Sequence, residues 1–197
     1  MKKMLGTFCL LILFVPILRA QTDKLPALLK EKRSGKVMFN RDNAIDEIKR
    51  QRLAHSSTIW DRWGGKPCPV FAYKDLNGVL WTNENIRGKV TLINFWHTEG
   101  APCVRQIPWL NKLLEKFSDV NFIACTFNDA AQIKKVVEQT PYLYHQLTDA
   151  LPLFQEFGIV IMPTTIILDK EGKVFAVVTG TNDTLKHTIE AKLKENL

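Results

Sequence analysis

VTLINFWHTEGAPCVRQIPWLNKLLEKF, running from Val90 to Phe117, is the stretch that decides the fold. Val90 to Trp96 is an apolar run short enough to be a strand buried on both faces. His97-Thr98-Glu99-Gly100 then reads as a polar turn. From Ala101 the pattern becomes helical: Ile107, Leu110, Leu114 and Phe117 recur at steps of three and four and share one face. Pro102 suits the first turn of that helix, where a missing N–H loses no hydrogen bond. Cys103 therefore sits at a helix N-terminus, where free backbone amides and the helix dipole favour a thiolate.

Outward from this segment, the chain alternates strands and helices. Val70 to Tyr73 and Val79 to Trp81 flank Asn77-Gly78, a hairpin signal. Val120 to Phe127 reads as a second buried strand, and Asp129 to Thr140 as a helix stopped by Pro141. Leu151 to Phe157 is a short helix closed by Gly158. Ile166-Ile167-Leu168 and Val174 to Thr179 are strands around the turn Asp169-Lys170-Glu171-Gly172. A last helix runs from Asp183 to Lys194, with Leu185, Ile189 and Leu193 recurring at four.

The two ends of the remaining sequence differ. Lys2 and Lys3, the apolar run Met4 to Val15, and Leu18-Arg19-Ala20 read as a signal peptide over residues 1–20, cut before Gln21. Leu18 is large for a cleavage site, so an uncleaved anchor stays open. Residues 21–63 form a polar extension, partly helical, with Asn43 to Trp60 as its helical part. Trp60 and Trp63 either pack on the outside of the domain or form a partner patch. The domain itself is placed at residues 64–197.

Charge argues against one class of partner. The formal charge is +7, and the signal segment takes three of the 27 basic side chains and none of the 20 acidic ones, leaving +4. That excess is too small to mark a nucleic-acid-binding protein. Cys9 leaves with the signal, so Cys68, Cys103 and Cys125 remain, an odd number in an exported chain. Their spacings of 35 and 22 residues contain no C-x-x-C pair. His55, His145 and His187 are scattered, so no metal site is expected. No cofactor is expected either. Cys68 and Cys125 read as small core residues.

Asn94-Phe95-Trp96, the turn, x-x-Pro-Cys and Ile107-Pro108 resemble the active-site segment of the thioredoxin superfamily. The likeness is to the extracytoplasmic TlpA/ResA group of thiol–disulfide proteins. Gly65-Lys66-Pro67-Cys68-Pro69-Val70-Phe71 is similar to the G-x-x-A-P-x-F opening of the related redoxin (AhpC/TSA-type) proteins. Met162-Pro163-Thr164-Thr165 resembles the superfamily's cis-proline segment. The resemblance implies an α/β thioredoxin-like fold: a central mixed sheet flanked by helices on both faces.

It also implies a site, with one departure. The family signature W-C-x-x-C reads here Glu99-Gly100-Ala101-Pro102-Cys103, so Gly100 stands where the attacking cysteine would be. By resemblance, Cys103 and Pro163 are the candidate catalytic positions. Trp96, Gly100, Pro102, Met162 and Thr164 are the candidate contacts to an extended peptide. His97 and Glu99 are either acid–base groups or solvated turn residues. With no side chain at Gly100, Cys103 is expected to be open to solvent.

Three functions follow. In the first, a cell-envelope thiol–disulfide oxidoreductase uses Cys103 alone on a cysteine-containing protein or peptide, and an external thiol or redox partner protein resolves the mixed disulfide. The second is a redox-inactive module binding extended peptide or a partner protein. The third is a peroxiredoxin-like peroxidase, for which Thr98 lies too far ahead of the cysteine and Arg105 is the nearest cation in sequence. Membrane contact is expected only if the N-terminal segment stays uncleaved.

Overall fold

The structure, a computed structural model, describes residues 41–197; the signal segment and the first part of the extension lie outside the described residues. The helix α1 (Arg41–Trp63) comes first, followed by the strands β1 (Ala72–Lys74) and β2 (Leu80–Thr82). Next come β3 (Thr91–Phe95), α2 (Ala101–Lys116), β4 (Asn121–Cys125) and α3 (Ala130–Val137). The chain ends with β5 (His145–Leu147), α4 (Leu151–Phe157), β6 (Thr164–Leu168), β7 (Val174–Thr179) and α5 (Asp183–Asn196).

β1 and β2 form the expected hairpin. The other strands make one five-stranded sheet in the order β5-β4-β3-β6-β7. β3, β4 and β5 run parallel to one another, whereas β6 and β7 are antiparallel to their neighbours. β3 and β6 are buried along their whole length, as the run of apolar residues requires of central strands. β5 is the one strand the sequence did not announce. His145-Gln146-Leu147 is too short for any hydrophobic period, and its place comes from pairing with β4.

The pleat divides the core in two. Leu92, Trp96, Phe122, Ala124 and Ile167 point to one face and pack on Ile107, Leu110 and Leu113 of α2, Ile133 of α3 and Ile189 and Leu193 of α5. Ile93, Phe95, Ile123, Cys125 and Ile166 point to the other and pack on Ile59 of α1, on Trp81 of the hairpin and on Leu153, Phe154 and Phe157 of α4. Helices thus cover both faces of a mixed sheet, which is the thioredoxin-like architecture.

The ends of the elements are capped locally. Asp129 begins α3 with a reciprocal capping box: its carboxylate accepts from the Gln132 amide while the Gln132 side chain accepts from the Asp129 amide. Gly158 ends α4 in a left-handed conformation, φ 78°. α2 has no side-chain cap at Gly100, and Pro102 lies in its first turn. Ahead of the sheet, α1 lays His55 and Ile59 into the domain, while Trp63 meets Phe157 edge to face at 5.8 Å. Trp60 stays 45% exposed.

Candidate active site

The chemistry-bearing residues gather at the C-terminal end of β3. The backbone continues the ladder as far as Trp96, whose N–H donates to the Cys125 carbonyl at 3.0 Å. The chain then turns, with the Gly100 N–H donating to the His97 carbonyl at 3.2 Å, and α2 starts. Asn128 holds the turn from outside. Its Oδ1 accepts from the Thr98 N–H at 3.0 Å and from the Thr126 hydroxyl at 2.9 Å, and its Nδ2 donates to Gln132 of the capping box. The turn ahead of Cys103 is therefore braced by the start of α3.

Cys103 is not open to solvent. It is 1% exposed. It packs in the apolar cluster with Trp96, Ile107 and Leu110, and Gly100 lies beside its sulfur. A Cβ built there would lie 2.7 Å from His97 Nε2 and 3.0 Å from Cys103 Sγ. The imidazole has folded into the room the glycine leaves, and it shelters the sulfur from that side. The ring also stacks on Phe127, with centroids 6.0 Å apart. The expectation of an exposed thiol is thus corrected: omission of the side chain at 100 admitted a ring rather than water.

The expected thiolate is corrected with it. Burial pushes the Cys103 thiol above its ordinary value; the backbone amides of His97 and of Cys103 itself pull the other way without offsetting it. Arg105 is exposed on α2, and no cationic side chain among the described residues contributes to the thiol's environment.

The other expected residues divide into surface and support. The Met162–Pro163 peptide bond is cis. Met162 is half-buried and packs against both core clusters, the one that contains Cys103 and the one on the opposite face of the sheet. Pro102 is half-buried and Glu99 exposed, both able to meet a ligand. Trp96 and Thr164 are each 0% exposed, so they shape the site from beneath rather than touching a peptide. The Thr164 hydroxyl donates to the Ile161 carbonyl at 2.7 Å, tying off the prolyl loop.

Comparison with known proteins gives the family. Residues 64–177 fit the AhpC/TSA family model. The chain belongs to the AhpC/TSA family. Within it, this is a ResA/TlpA-like member of the thioredoxin superfamily. It is 29% identical over 135 residues to the thiol-disulfide oxidoreductase ResA of Bacillus thuringiensis subsp. konkukian, covering 66% of this chain and 77% of that one. It is 30% identical over 134 residues to the thioredoxin-like protein YneN of Bacillus subtilis, covering 66% and 78%. Among solved structures, a DsbE-type thiol:disulfide interchange protein of Chlorobium tepidum superposes with a TM-score of 0.63 at 22% identity, covering 67% of this chain and 96% of that one. The thioredoxin domain of a thiol-disulfide oxidoreductase from Bacteroides vulgatus superposes with a TM-score of 0.58 at 25% identity, covering 66% and 96%.

Beneath the family's site position lies a polar network that the sequence did not reveal. Asn94 of β3 is fully buried on the Cys103 side of the sheet. Its Oδ1 accepts from Gln106 Nε2 at 3.1 Å and from the Tyr142 hydroxyl at 3.0 Å, and its Nδ2 donates to Thr165 Oγ1 at 3.1 Å. One carboxamide so fastens β3, α2, β6 and the segment before β5. Tyr142 also meets Trp96 edge to face at 5.5 Å. Burial first, then Tyr144 and Cys103, raise the Tyr142 hydroxyl well above its usual value, so it remains a hydrogen-bond donor. No motif announces these partners, which come together only across the fold.

Cys103 also stands apart from the other two thiols. All three are free and buried. Cys103 belongs to the α2 side of the sheet, Cys68 and Cys125 to the opposite side. A bridge from Cys103 to either, which would have restored a two-thiol cycle, would have to cross the sheet. Among the described residues no group of three or more His, Cys, Asp or Glu is placed to hold a metal ion, and no helix is long and apolar enough to cross a membrane.

Proposed function

We propose that this chain is an exported thiol–disulfide oxidoreductase in which Cys103, sheltered at rest, is the single reacting thiol. The observation that carries the reading is the packing of His97 into the space over Gly100. The sulfur is covered on that side by one side chain of a surface turn, and a half-exposed ring on a polar turn can swing away. Support also comes from a relative named as a thiol-disulfide oxidoreductase. The basic start and apolar run of residues 1–20 support export to the cell envelope.

In the proposed reaction an extended client lies along the Met162–Pro163 segment and displaces His97. Cys103 loses its proton to solvent or to the displaced imidazole, and its thiolate attacks one sulfur of the client's disulfide. That S–S bond breaks, a mixed disulfide forms, and the other client sulfur leaves as a thiolate and takes up a proton. The thiolate of an external thiol then attacks the client sulfur of this mixed disulfide; the bond to Cys103 breaks, Cys103 leaves as a thiolate and regains a proton, and the client sulfur departs joined to the external thiol as a new disulfide. Gly100 takes no part beyond leaving room.

A second reading is favoured by the 1% exposure and the raised thiol: a redox-inactive module that binds extended peptide at the same edge. Capture separates the two. The native protein is mixed with a client peptide carrying an activated disulfide, and the products are resolved without reducing agent. The proposal expects a covalent adduct at Cys103 that vanishes in Cys103→Ser. Equal peptide binding by wild type and Cys103→Ser, with no adduct, would establish the module instead.

A further inference from the structure

The helix before the domain is fastened to the prolyl loop by a single histidine. His55 of α1 is buried, 8% exposed, more than a hundred residues away in sequence from everything it binds. Its Nε2 lies 3.1 Å from the Val160 N–H and 3.3 Å from the Gly158 carbonyl. Its Nδ1 lies 2.9 Å from Thr179 Oγ1.

Donor and acceptor roles follow by elimination. The Val160 N–H is a donor and requires a bare Nε2, so the neutral ring carries its proton on Nδ1 and donates it to Thr179 Oγ1. The Thr164 hydroxyl gives its proton to the Ile161 carbonyl, so the Thr179 hydroxyl donates to Thr164 Oγ1 across 3.1 Å. The wire therefore runs from His55 through Thr179 and Thr164 to the backbone on either side of Met162. Two further ties support it. The Thr179 N–H donates to Ser56 Oγ at 3.0 Å, and the Gly180 N–H donates to the Pro163 carbonyl at 2.6 Å. Gly180 has φ +97° and lies under the Arg52 side chain, whose Cδ is 2.7 Å from where a Cβ would stand.

We propose that His55 is a positioning residue for the peptide-binding edge, holding residues 158–163 in their binding shape while its ring is neutral and releasing Val160 when the ring is protonated. This rests on the peptide-binding edge of the preceding reading. A proton on Nε2 places two donors face to face at the Val160 contact, and the ring's new N–H finds the Gly158 carbonyl instead. The loop must then shift at Val160, two residues ahead of Met162. Burial opposes the charged ring and the Gly158 carbonyl favours it, with burial the larger, so His55 titrates below its ordinary value. The groups facing the ring from the loop, β6 and β7 are uncharged. On its own helix Arg52 lies over Gly180, and Lys49 and Arg52 line a pocket with Ser56 and Thr179, while Glu156 of α4 faces Arg62.

The experiment is a pH titration of isotope-labelled protein, wild type and His55→Gln, from about pH 8 down to about pH 4, since the ring titrates below the ordinary histidine range. The Val160 amide resonance and its exchange protection are followed together with the His55 ring. A short extended peptide with one S-methylated cysteine is titrated in parallel. The wild-type Val160 signal is expected to move with the His55 pKa, and peptide affinity to fall about tenfold per pH unit below it. In His55→Gln, whose carboxamide can still accept from Val160 but does not titrate, both are expected to be flat. A Val160 signal that ignores the His55 titration, or that titrates unchanged in His55→Gln, overturns the proposal. So does wild-type affinity that stays constant while His55 titrates. A peptide that binds at no pH speaks against the binding edge itself, and the Val160 titration then decides the coupling alone.

Discussion

Cys103 and Cys125 are both buried cysteines, one on each face of the sheet, yet they are buried in different ways. Cys125 ends a central strand, opposite Phe95 on one side and Leu147 on the other. Backbone ladders and the α4 side chains seal it, and burial, with Cys68 nearby, holds its thiol far above the ordinary value. Cys68 in the same cluster is pushed up to about 12. Cys103 starts a helix instead. Two backbone amides point at it, and on the turn side its cover is the ring of His97. One thiol is closed by the architecture, the other by a side chain that can rotate. The same low exposure thus has different consequences for reactivity.

The widest separation of the two thiols is expected from removing the cover. His97→Ala should speed alkylation of Cys103 by about tenfold or more, since the desolvation that raises its pKa is relieved. Cys125 should remain unmodified in the same native sample. Mass mapping after brief labelling checks this, and equal labelling of both thiols would mean that general opening rather than His97 controls access.

Serine substitutions test the surroundings of each sulfur. Cys125→Ser puts a hydroxyl into a sealed apolar cluster and should lose about 2–3 kcal/mol. Cys103→Ser meets the His97 and Cys103 amides, which can donate to the new oxygen, and should lose under about 1 kcal/mol. Urea denaturation measures both, and equal losses would erase the distinction.

Gly100→Ala is a milder version of the first change. The new Cβ conflicts with the far end of the His97 ring, which can move, and with Cys103 Sγ at 3.0 Å. Stability should fall by about 1 kcal/mol, with labelling of Cys103 faster than in wild type. A loss of several kcal/mol with unchanged labelling would show that the ring cannot yield.

The smallest effect concerns the hairpin on the Cys125 face. Asp75 is buried: burial pushes its carboxyl up, but hydrogen bonds from His145, the Val79 amide, Trp81 and the Asn77 amide outweigh it, and the pKa is lowered. A depressed carboxylate contributes stability that is fully present above its unfolded value, about 3.9, and is lost as pH falls through the folded value. Asp75→Asn should therefore flatten the acid limb of the stability curve. Tryptophan emission reports it, since Trp81 packs against His145 at 4.6 Å.

How far the sequence could be read depended on the range of the interactions involved. The β3–α2 segment was legible because its signals are local: an apolar run, a turn, and a 3.6-residue period. The hairpin at Asn77-Gly78 and the stop at Gly158 were legible for the same reason. β5 was not, because three residues cannot display a period. His97 was read as an acid–base group or a solvated turn residue, and its packing against Gly100 depends on a ring orientation that no spacing encodes. The partners of the Asn94 carboxamide were not legible, because Gln106, Tyr142 and Thr165 reach it from three other segments of the fold.

By itself the sequence determined the architecture and placed one sulfur at the start of a helix, with a glycine where a second sulfur would stand. The strands, turns and helices follow from hydrophobic periods and turn residues that act over a few positions, and the meaning of the glycine follows from the resemblance to the thioredoxin superfamily. Only the tertiary structure decided that the sulfur is covered, that its pKa is raised, and that a histidine in the leading helix grips the prolyl loop. Desolvation and hydrogen bonding depend on which side chains the fold brings together: the ring orientation of His97 is not set by its spacing from Cys103, and the partners of His55 lie more than a hundred residues away along the chain.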